Sequence, residues 1–239
     1  MKKNLLLKFI SITIAILFAV LFVAKFGGEA ILRLYISSGV GTCKKIPVLC
    51  MAPDKEIIGL GVNKEYLAQL VPYEFPKMTV SIPNDFTAIQ ERVKKFYYSK
   101  SNRPQEGNII YLLYEEPDFF INLFPQLKKQ RVNDDFEFIK RTMFAKSGEV
   151  KNLTDVFFVI MKGIFIPDLG ELSKVKMAQF EIADKRGFIN YNLAASGNYF
   201  DCNVIDSKAN FFKIYIKDKT AGLDLEKVLT IISTVRKTK

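Results

Sequence analysis

The chain has no histidine and no tryptophan among its 239 residues, and it has only three cysteines. Without histidine, neither a serine–histidine nor a cysteine–histidine nucleophile system can be built. The cysteines lie far from the usual zinc-binding spacing, so a zinc site would need carboxylate ligands as well. A carboxylate pair remains as a means of hydrolysis, but no spacing among the acids points to one.

The chain has 21 phenylalanines and no tryptophan, which predicts a phenylalanine-rich core. The formal net charge is +10. This charge fits an anionic partner, such as lipid headgroups, nucleic acid or an acidic polymer, but a lysine-rich solvated surface explains it as well, and we favour that explanation. The length suits one membrane anchor and one globular domain of ordinary size.

A long apolar run lies near the N-terminus. Phe9 to Ala24 is an unbroken stretch of roughly 16 residues, where a membrane-spanning helix needs about 17–25. Lys8 and Lys25 close the run, each near enough to an interface to place its ammonium group among the headgroups. With the leucines before it and Phe26 behind it, the run is long enough to span. We therefore predict an N-terminal transmembrane helix within residues 1–28, which contacts the lipid bilayer through residues 5–28.

The alternatives to an anchor are a cleavable signal peptide and a buried helix of a globular core. A cleavable signal peptide also has a basic start and an apolar core. Cleavage after Ala24 would put the bulky Phe22 at the −3 position, and cleavage after Ala30 would leave Glu29 and a long spacer behind the core. A buried helix of a globular core rarely lacks a polar face altogether. The anchor is therefore favoured, with secretion after cleavage as the alternative.

The orientation in the membrane follows from the basic residues and the length of the N-terminal tail. The basic residues are nearly balanced across the run: Lys2, Lys3 and Lys8 precede it, and Lys25, Arg33, Lys44 and Lys45 follow it. The positive-inside rule is therefore weak here. The very short tail favours a cytoplasmic N-terminus. We expect a single-pass protein of the inner (cytoplasmic) membrane with an extracytoplasmic C-terminal domain.

Cys43 and Cys50 stand close together in CKKIPVLC, with Pro47 between them. A loop this small can close as a disulfide in an oxidising compartment. The loop-entropy model gives such a bond roughly 2–3 kcal/mol of stabilisation. The alternative is a pair of half-buried thiols. Cys202 stands alone in a strand-like run, which predicts a core side chain.

The remainder divides into a juxtamembrane connector, residues 29–76, and a globular domain, residues 77–239. In the connector, Glu29 to Ser38 has helical spacing near the interface, and Asn63 caps a short helix.

Phe86 to Lys100 fits either a helix or a strand, and we favour a strand paired with Asn108 to Tyr114. The other predicted elements are a strand at 78–83, a broken helix at 118–130 interrupted at Pro125, helices at 133–146, 152–166 and 223–235, and strands at 175–183, 187–194, 199–205 and 210–218. Asn133 is the predicted cap of the helix at 133–146, and a helix cap is predicted at 152–155. A glycine-containing turn at 184–187 joins the first of the C-terminal hairpins. This order predicts an α+β fold, a mostly antiparallel sheet covered by helices.

Six stretches from about Val80 onward carry a family resemblance: YLLYEEPDFFINLFPQLKKQ, FFVIMKGIFIPD, KRGFINYNL, NYFDCNV, FFKIYIKDK and LDLEKVLTIIST. On these stretches the chain resembles an uncharacterised family of bacterial membrane-associated or exported proteins. That family has no assigned activity, so the resemblance implies no catalytic residues. The order of strand, hairpins and closing helix is also similar in layout to the Mog1/PsbP-type α/β/α sandwich. That fold hosts binding and assembly modules, although a fold alone does not fix function.

The sequence therefore predicts a membrane-tethered binding or assembly module with no catalytic residue, no cofactor and no metal site. An envelope protein is the expected partner besides the bilayer. KKFYYSK (94–100) and EEPDFF (115–120) are the first places to test for that partner.

The alternative functions are an envelope hydrolase and a nucleic-acid binder. An envelope hydrolase acting on glycans would use two of the acids Glu115, Glu116, Asp118, Asp201 and Asp218. The sequence does not place any two of them at the separation that glycoside hydrolysis needs. A nucleic-acid binder would use the interleaved basic and aromatic residues of 94–103. We expect no nucleic-acid partner, because the domain is predicted to lie outside the cytoplasm.

Overall fold

The computed structural model describes residues 27–41, 43–58, 61–74, 77–92, 95–99, 108–167, 169, 172–194 and 197–238. The predicted membrane-spanning run, residues 9–24, lies outside these ranges. Within them, no helix is both long enough and apolar enough to cross a bilayer.

The described residues form six α-helices joined by short 3-10 turns, and eleven strands. The helices are α1 (Gly28–Gly39), α2 (Lys64–Leu67), α3 (Phe119–Leu123), α4 (Asp135–Phe144), α5 (Leu153–Phe165) and α6 (Leu225–Thr234). The strands are β1 (Lys55–Ile58), β2 (Leu70–Glu74), β3 (Met78–Pro83), β4 (Thr87–Arg92), β5 (Lys95–Ser99), β6 (Ile109–Glu115), β7 (Lys176–Ile182), β8 (Lys185–Ala194), β9 (Gly197–Asp206), β10 (Phe211–Asp218) and β11 (Arg236–Lys237).

Eight of these strands form one sheet in the order β1-β7-β8-β9-β10-β6-β5-β4. Every neighbouring pair is antiparallel except β1 and β7, which run parallel. A second, three-stranded sheet has the order β11-β3-β2 and is antiparallel. The predicted α+β class is confirmed.

The large sheet has two faces of different composition, because successive side chains along a strand point to opposite sides. On β10, Phe212, Ile214 and Ile216 are buried on one side, under α6 and the small sheet. We call this side the apolar face. Phe211 points to the other side, where α3, α4 and α5 pack. Because this side also carries Lys213, we call it the mixed face.

Phenylalanine rings fill the space between the mixed face and its helices, as the composition predicts. The Phe120 ring stacks on the Phe138 ring with centroids 4.7 Å apart and meets the Phe211 ring edge-on at 5.1 Å. Phe138 also lies 5.8 Å from Phe158 on α5. These contacts hold α3, α4 and α5 together over the sheet.

Side-chain caps fix where the helices begin. Asn152 and Asp155 form a reciprocal capping box at the start of α5, where a helix cap is predicted. Asn63 caps α2 through the N–H of Tyr66, also as predicted. The cap of α4 is Asp134, which accepts from the N–H of Glu137 at 2.7 Å, and not the predicted Asn133. The two residues are adjacent, and both types cap well, so sequence alone does not separate them.

The segment predicted as a connector contributes to the folded body. Strand β1 pairs with β7, and β2 pairs with β3, while Val48 and Leu49 are buried. The stretch from Phe86 to Lys100 contains two strands, β4 and β5, that form a hairpin. Both differences arise from pairings between segments, which the pattern of one segment does not reveal.

The first C-terminal hairpin turns earlier than predicted. Its turn is Ala183–Asp184, where Ala183 takes a φ of 53°, and Gly187 lies within β8. A Cβ at Gly187 would collide with the backbone carbonyl of Asn203 on β9. Glycine is needed there for the close approach of two strands rather than for a turn.

Candidate functional site

A cleft of about 620 Å³ opens on the mixed face. Its floor is β6 and β10, and its walls are α3, the last turn of α5 and Pro167. Most of the lining is apolar or aromatic, and the charged members are Glu115 and Lys213. Pockets for small molecules are commonly about 300–1,000 Å³ with mostly apolar walls, so this cleft has the size and character of a ligand site.

The floor of the cleft follows from the alternation of β6. Ile110, Leu112 and Tyr114 are buried on the apolar face, whereas Tyr111 and Leu113 point to the mixed face and stay half-buried. Tyr111 pairs with Tyr215 of β10 across the sheet. The floor therefore combines apolar surface with tyrosine rings, which have a polar end.

Asp135 positions the wall that α3 forms. Its buried carboxylate accepts hydrogen bonds from the backbone N–H groups of Phe119 at 2.8 Å and Phe120 at 2.9 Å. Burial raises the pKa of Asp135, while these backbone donors favour its charged form. The contact satisfies helix-end donors and holds both phenylalanines against the cleft.

Lys213 is fully engaged by hydrogen bonds and an ion pair. Its Nζ lies 2.6 Å from the Asp201 Oδ1, and it donates to the Asn203 Oδ1 at 3.0 Å and to the Phe165 carbonyl at 2.8 Å. Two oxygen acceptors and one carboxylate therefore surround the ammonium group. Lys213 joins α5 to the sheet through these contacts.

Behind Lys213 lies a buried polar cluster formed by Asn190, Asp201 and Asn203. The Asn190 Nδ2 donates to the Asp201 Oδ2 at 3.1 Å. Burial raises the pKa of Asp201, and the ammonium of Lys213 opposes that shift. Within this cluster, in the described part of the chain, the Asn190 Oδ1, the Asp201 Oδ1 and the Asn203 Nδ2 have no hydrogen-bond partner, although the Asp201 Oδ1 is ion-paired with Lys213. This cluster is not among the residues predicted from the sequence. Its signal is polar residues at every second position of otherwise apolar strands.

The structure separates the acids that a glycan hydrolase would use. Glu115 lines the cleft, and none of the other candidates lines it with Glu115. Asp201 is bound to Lys213, and Asp218 is buried, accepting from the N–H groups of Thr220 and Leu223. The other two acids, Glu116 and Asp118, are exposed.

Glu116 belongs to a cluster away from the cleft. It accepts from the Tyr114 hydroxyl at 2.8 Å and from the Lys237 Nζ at 2.7 Å. These hydrogen bonds lower the pKa of Glu116 to about 2. Asp118, with a φ of 62°, precedes α3.

Cys43 and Cys50 lie side by side, with Cα atoms 5.7 Å apart and their sulfur atoms joined. The Ser147 Oγ contacts the Cys43 Sγ at 3.4 Å and the Cys50 Sγ at 3.0 Å. The disulfide in the cell stays a prediction.

Cys202 is buried on the apolar face, and burial raises the pKa of its thiol. In the part of the chain that the structure describes, no group of three or more Cys, Asp or Glu could hold a metal ion.

The two segments expected to meet a partner lie at or beside the cleft. EEPDFF supplies Glu115, Phe119 and Phe120 to its lining. KKFYYSK includes β5, which pairs with β6 along the floor, but its side chains lie outside the described part of the structure. The binding of a partner at either segment stays a prediction.

No protein-family model and no curated protein matches the chain. Among solved structures, a crystal structure of a protein from Bacteroides thetaiotaomicron VPI-5482 is similar at 9% identity and a TM-score of 0.32. The match covers 72% of this chain and 49% of that one, so the chain spans about half the length of that structure. A likeness of this degree does not identify a shared fold or function.

Proposed function

We propose that the chain is a non-catalytic binding module, held at the outer surface of the cytoplasmic membrane by its N-terminal apolar run. It takes a small, largely apolar ligand in the cleft between β6, β10, α3 and α5. The observation that carries this proposal is the cleft itself, about 620 Å³ with a mainly apolar and aromatic lining. Its cation, Lys213, is already bound by protein groups.

Three of the buried ionisable groups hold the fold together rather than face a substrate. A general acid or base must reach the substrate and exchange a proton with it. Asp135 is occupied by backbone N–H groups, and Lys213 by Asp201 and two oxygen acceptors. The buried Lys162 donates to the carbonyls of Met51, Met143 and Ala145. Each of these groups holds elements of the fold together.

The proposed compartment rests on the sequence of residues 5–28 and on the cysteine pair. A Cα separation of 5.7 Å lies within the range that disulfides require. Disulfides persist outside the reducing cytoplasm. The same disulfide would form if the leader were cleaved and the domain secreted, and the proposed role of the cleft would be unchanged.

The cleft is tested with an apolar photoreactive probe, 3-trifluoromethyl-3-phenyldiazirine, and the full chain in lipid nanodiscs. Labelled peptides are located by mass spectrometry. Ile164 walls the cleft and is 69% exposed, whereas Leu153 is 74% exposed on the same helix and does not line it. Ile164→Gln and Leu153→Gln therefore form a matched pair. We expect saturable labelling of the β6 and β10 peptides, weakened about tenfold by Ile164→Gln, since burying an isoleucine is worth about 1.5–3 kcal/mol.

Labelling that does not saturate, or that responds equally to both variants, would refute a ligand site in the cleft. A crosslinking pull-down from membranes tests the protein-partner alternative. An envelope protein captured by the wild-type chain and lost with Ile164→Gln alone would replace the small ligand as the occupant.

A further inference from the structure

Helix α1 has apolar residues on two sides. On one side Ile36 is buried and Leu32 is half-buried, both packed with Val156 and Val159 of α5. On another side Ile31, Leu34 and Tyr35 are 62%, 68% and 63% exposed. We call these last three residues the outer stripe of α1. Residues three and four apart lie together on a helix, so the outer stripe is one continuous surface.

A polar strip separates the two apolar sides. Glu29 and Arg33 lie on it and form an ion pair one helical turn apart. Ser37 continues the strip and donates to the Leu34 carbonyl. A helix with one side on a domain and a second apolar side in the open has a surface suited to a second contact.

The position of α1 in the chain indicates what that surface is. The helix begins at Gly28, directly after the apolar run that Lys25 closes. Its 12 residues rise about 18 Å, well short of the roughly 30 Å of a hydrocarbon core, so it cannot span. Lys44 and Lys45 are exposed in the turn that follows it. An amphipathic helix with nearby cations at the end of an anchor has the chemistry of an interfacial helix.

We propose that α1 lies flat on the bilayer, with the outer stripe inserted at the boundary between headgroups and acyl chains. The helix would then fix how the domain sits on the membrane, because its inner side is packed on α5. This inference rests on the membrane tether of the proposed function and is independent of the ligand in the cleft.

A second copy of the chain fits the outer stripe less well than lipid does. A stable protein interface takes about 20–30 residues from each side. The outer stripe offers three large apolar residues, next to a basic turn. Such a small surface can enter the headgroup region beside an existing anchor, where the anchor already supplies most of the membrane affinity.

The chain has no tryptophan, so one introduced residue gives an unambiguous fluorescence reporter. Leu34→Trp places it in the outer stripe. Leu67→Trp is the matched control, since Leu67 is also exposed but lies on α2, which packs with α6 on the other side of the large sheet. Each full-length variant is reconstituted in phosphatidylcholine–phosphatidylglycerol vesicles, with and without bromine on the acyl chains. Flotation of the vesicles is measured on the same samples.

We expect both variants to float with the vesicles. Brominated lipid should remove most of the emission of the tryptophan at position 34 and leave that at position 67 unchanged. Flotation without quenching at position 34 would overturn the interfacial role of α1 and leave the tether standing. A tryptophan at position 34 that resists both bromine and aqueous acrylamide is covered by protein, which would also overturn it. A failure to float would instead refute the tether, and with it this inference.

Discussion

The two faces of the large sheet are built by the same strands but hold different chemistry. On the apolar face, Phe212, Ile214 and Ile216 of β10 are buried among other hydrophobic side chains. On the mixed face, the intervening Lys213 lies between Asp201 and Asn203. The first face is covered by α6 and the small sheet, and the second is covered by helices that leave a cleft.

The difference lies in the charged groups. Burying apolar surface is the main stabilising term in folding, and both faces bury apolar side chains, but the mixed face also buries an ion pair next to the cleft. Burying an ion pair often contributes nothing net, because desolvation offsets the attraction between the charges. The pair Asp201–Lys213 and its asparagines are therefore poor candidates for the main source of stability. Lys213 also lines the cleft, so the mixed face is the one on which the ligand site is proposed.

Phe212→Ala on the apolar face is the largest expected perturbation. It should lower the free energy of unfolding by about 3–5 kcal/mol, because it removes a large side chain from a closely packed core. Tyr215→Ala is the matched change on the mixed face, two strand positions beyond Lys213, where the ring is only half-buried. The measurement is denaturant unfolding of the full chain in detergent, followed by circular dichroism. Equal losses in the two variants would break the comparison between the faces.

Much of the fold could be predicted because its signals are local. The Asn152 capping box, the 3.6-residue period of α6 and the alternation of β10 each lie within one segment, and each predicted element is present. The parallel pairing of β1 with β7 could not be predicted, since it joins Lys55 to Ala178. Nothing in the short run at 55–58 identifies its partner.

The cleft was beyond prediction for the same reason. Its lining comes from β6, α3, α5 and β10, which are separated in the chain and meet only in the fold. One signal in the sequence does point to the polar cluster beside the cleft. Asn190, Asp201 and Asn203 occupy alternate positions in strands whose neighbours are apolar, and a two-residue period places such residues on one side of a sheet.

Asp201→Asn sharpens the comparison by removing one charge from the mixed face. We expect a loss of about 3 kcal/mol in unfolding free energy, the lower end of the range for breaking a buried ion pair, because an amide still accepts one hydrogen bond from Lys213. The double variant Asp201→Asn/Lys213→Met should regain part of that loss, since no buried charge is left unpaired. Denaturant unfolding of the two single variants and the double variant completes a double-mutant cycle. Purely additive losses would contradict the coupling.

Replacing Lys162, which lies over the mixed face, is expected to have the smallest effect on stability. Because Lys162 titrates, this effect should depend on pH. This buried lysine on α5 donates to the carbonyls of Met51, Met143 and Ala145, and burial lowers its pKa to about 7. An unfolded lysine titrates near 10.4, so between about pH 7 and 10 the unfolded chain binds more protons than the folded chain. Stability from this residue therefore rises with pH across that window, by at most about 1.4 kcal/mol per pH unit, and levels off below about pH 7, where both states bind the proton.

At pH 9, where the Lys162 amine is neutral and has two hydrogens, we expect Lys162→Met to be less stable than the wild type by about 2 kcal/mol, because two of the three carbonyls lose their donor. The difference in unfolding free energy between Lys162→Met and the wild type should shrink between pH 9 and pH 6. Over that range Lys162 becomes protonated in the folded wild type, and the buried charge lowers its stability. The variant has no such group. The control is Phe212→Ala, whose loss should not change over the same range, since the side chain does not titrate. A pH-independent gap for Lys162→Met would mean that the three carbonyls keep the lysine charged throughout. The helices over the mixed face would then carry a fixed positive charge, and the two faces would differ in charge at every pH tested.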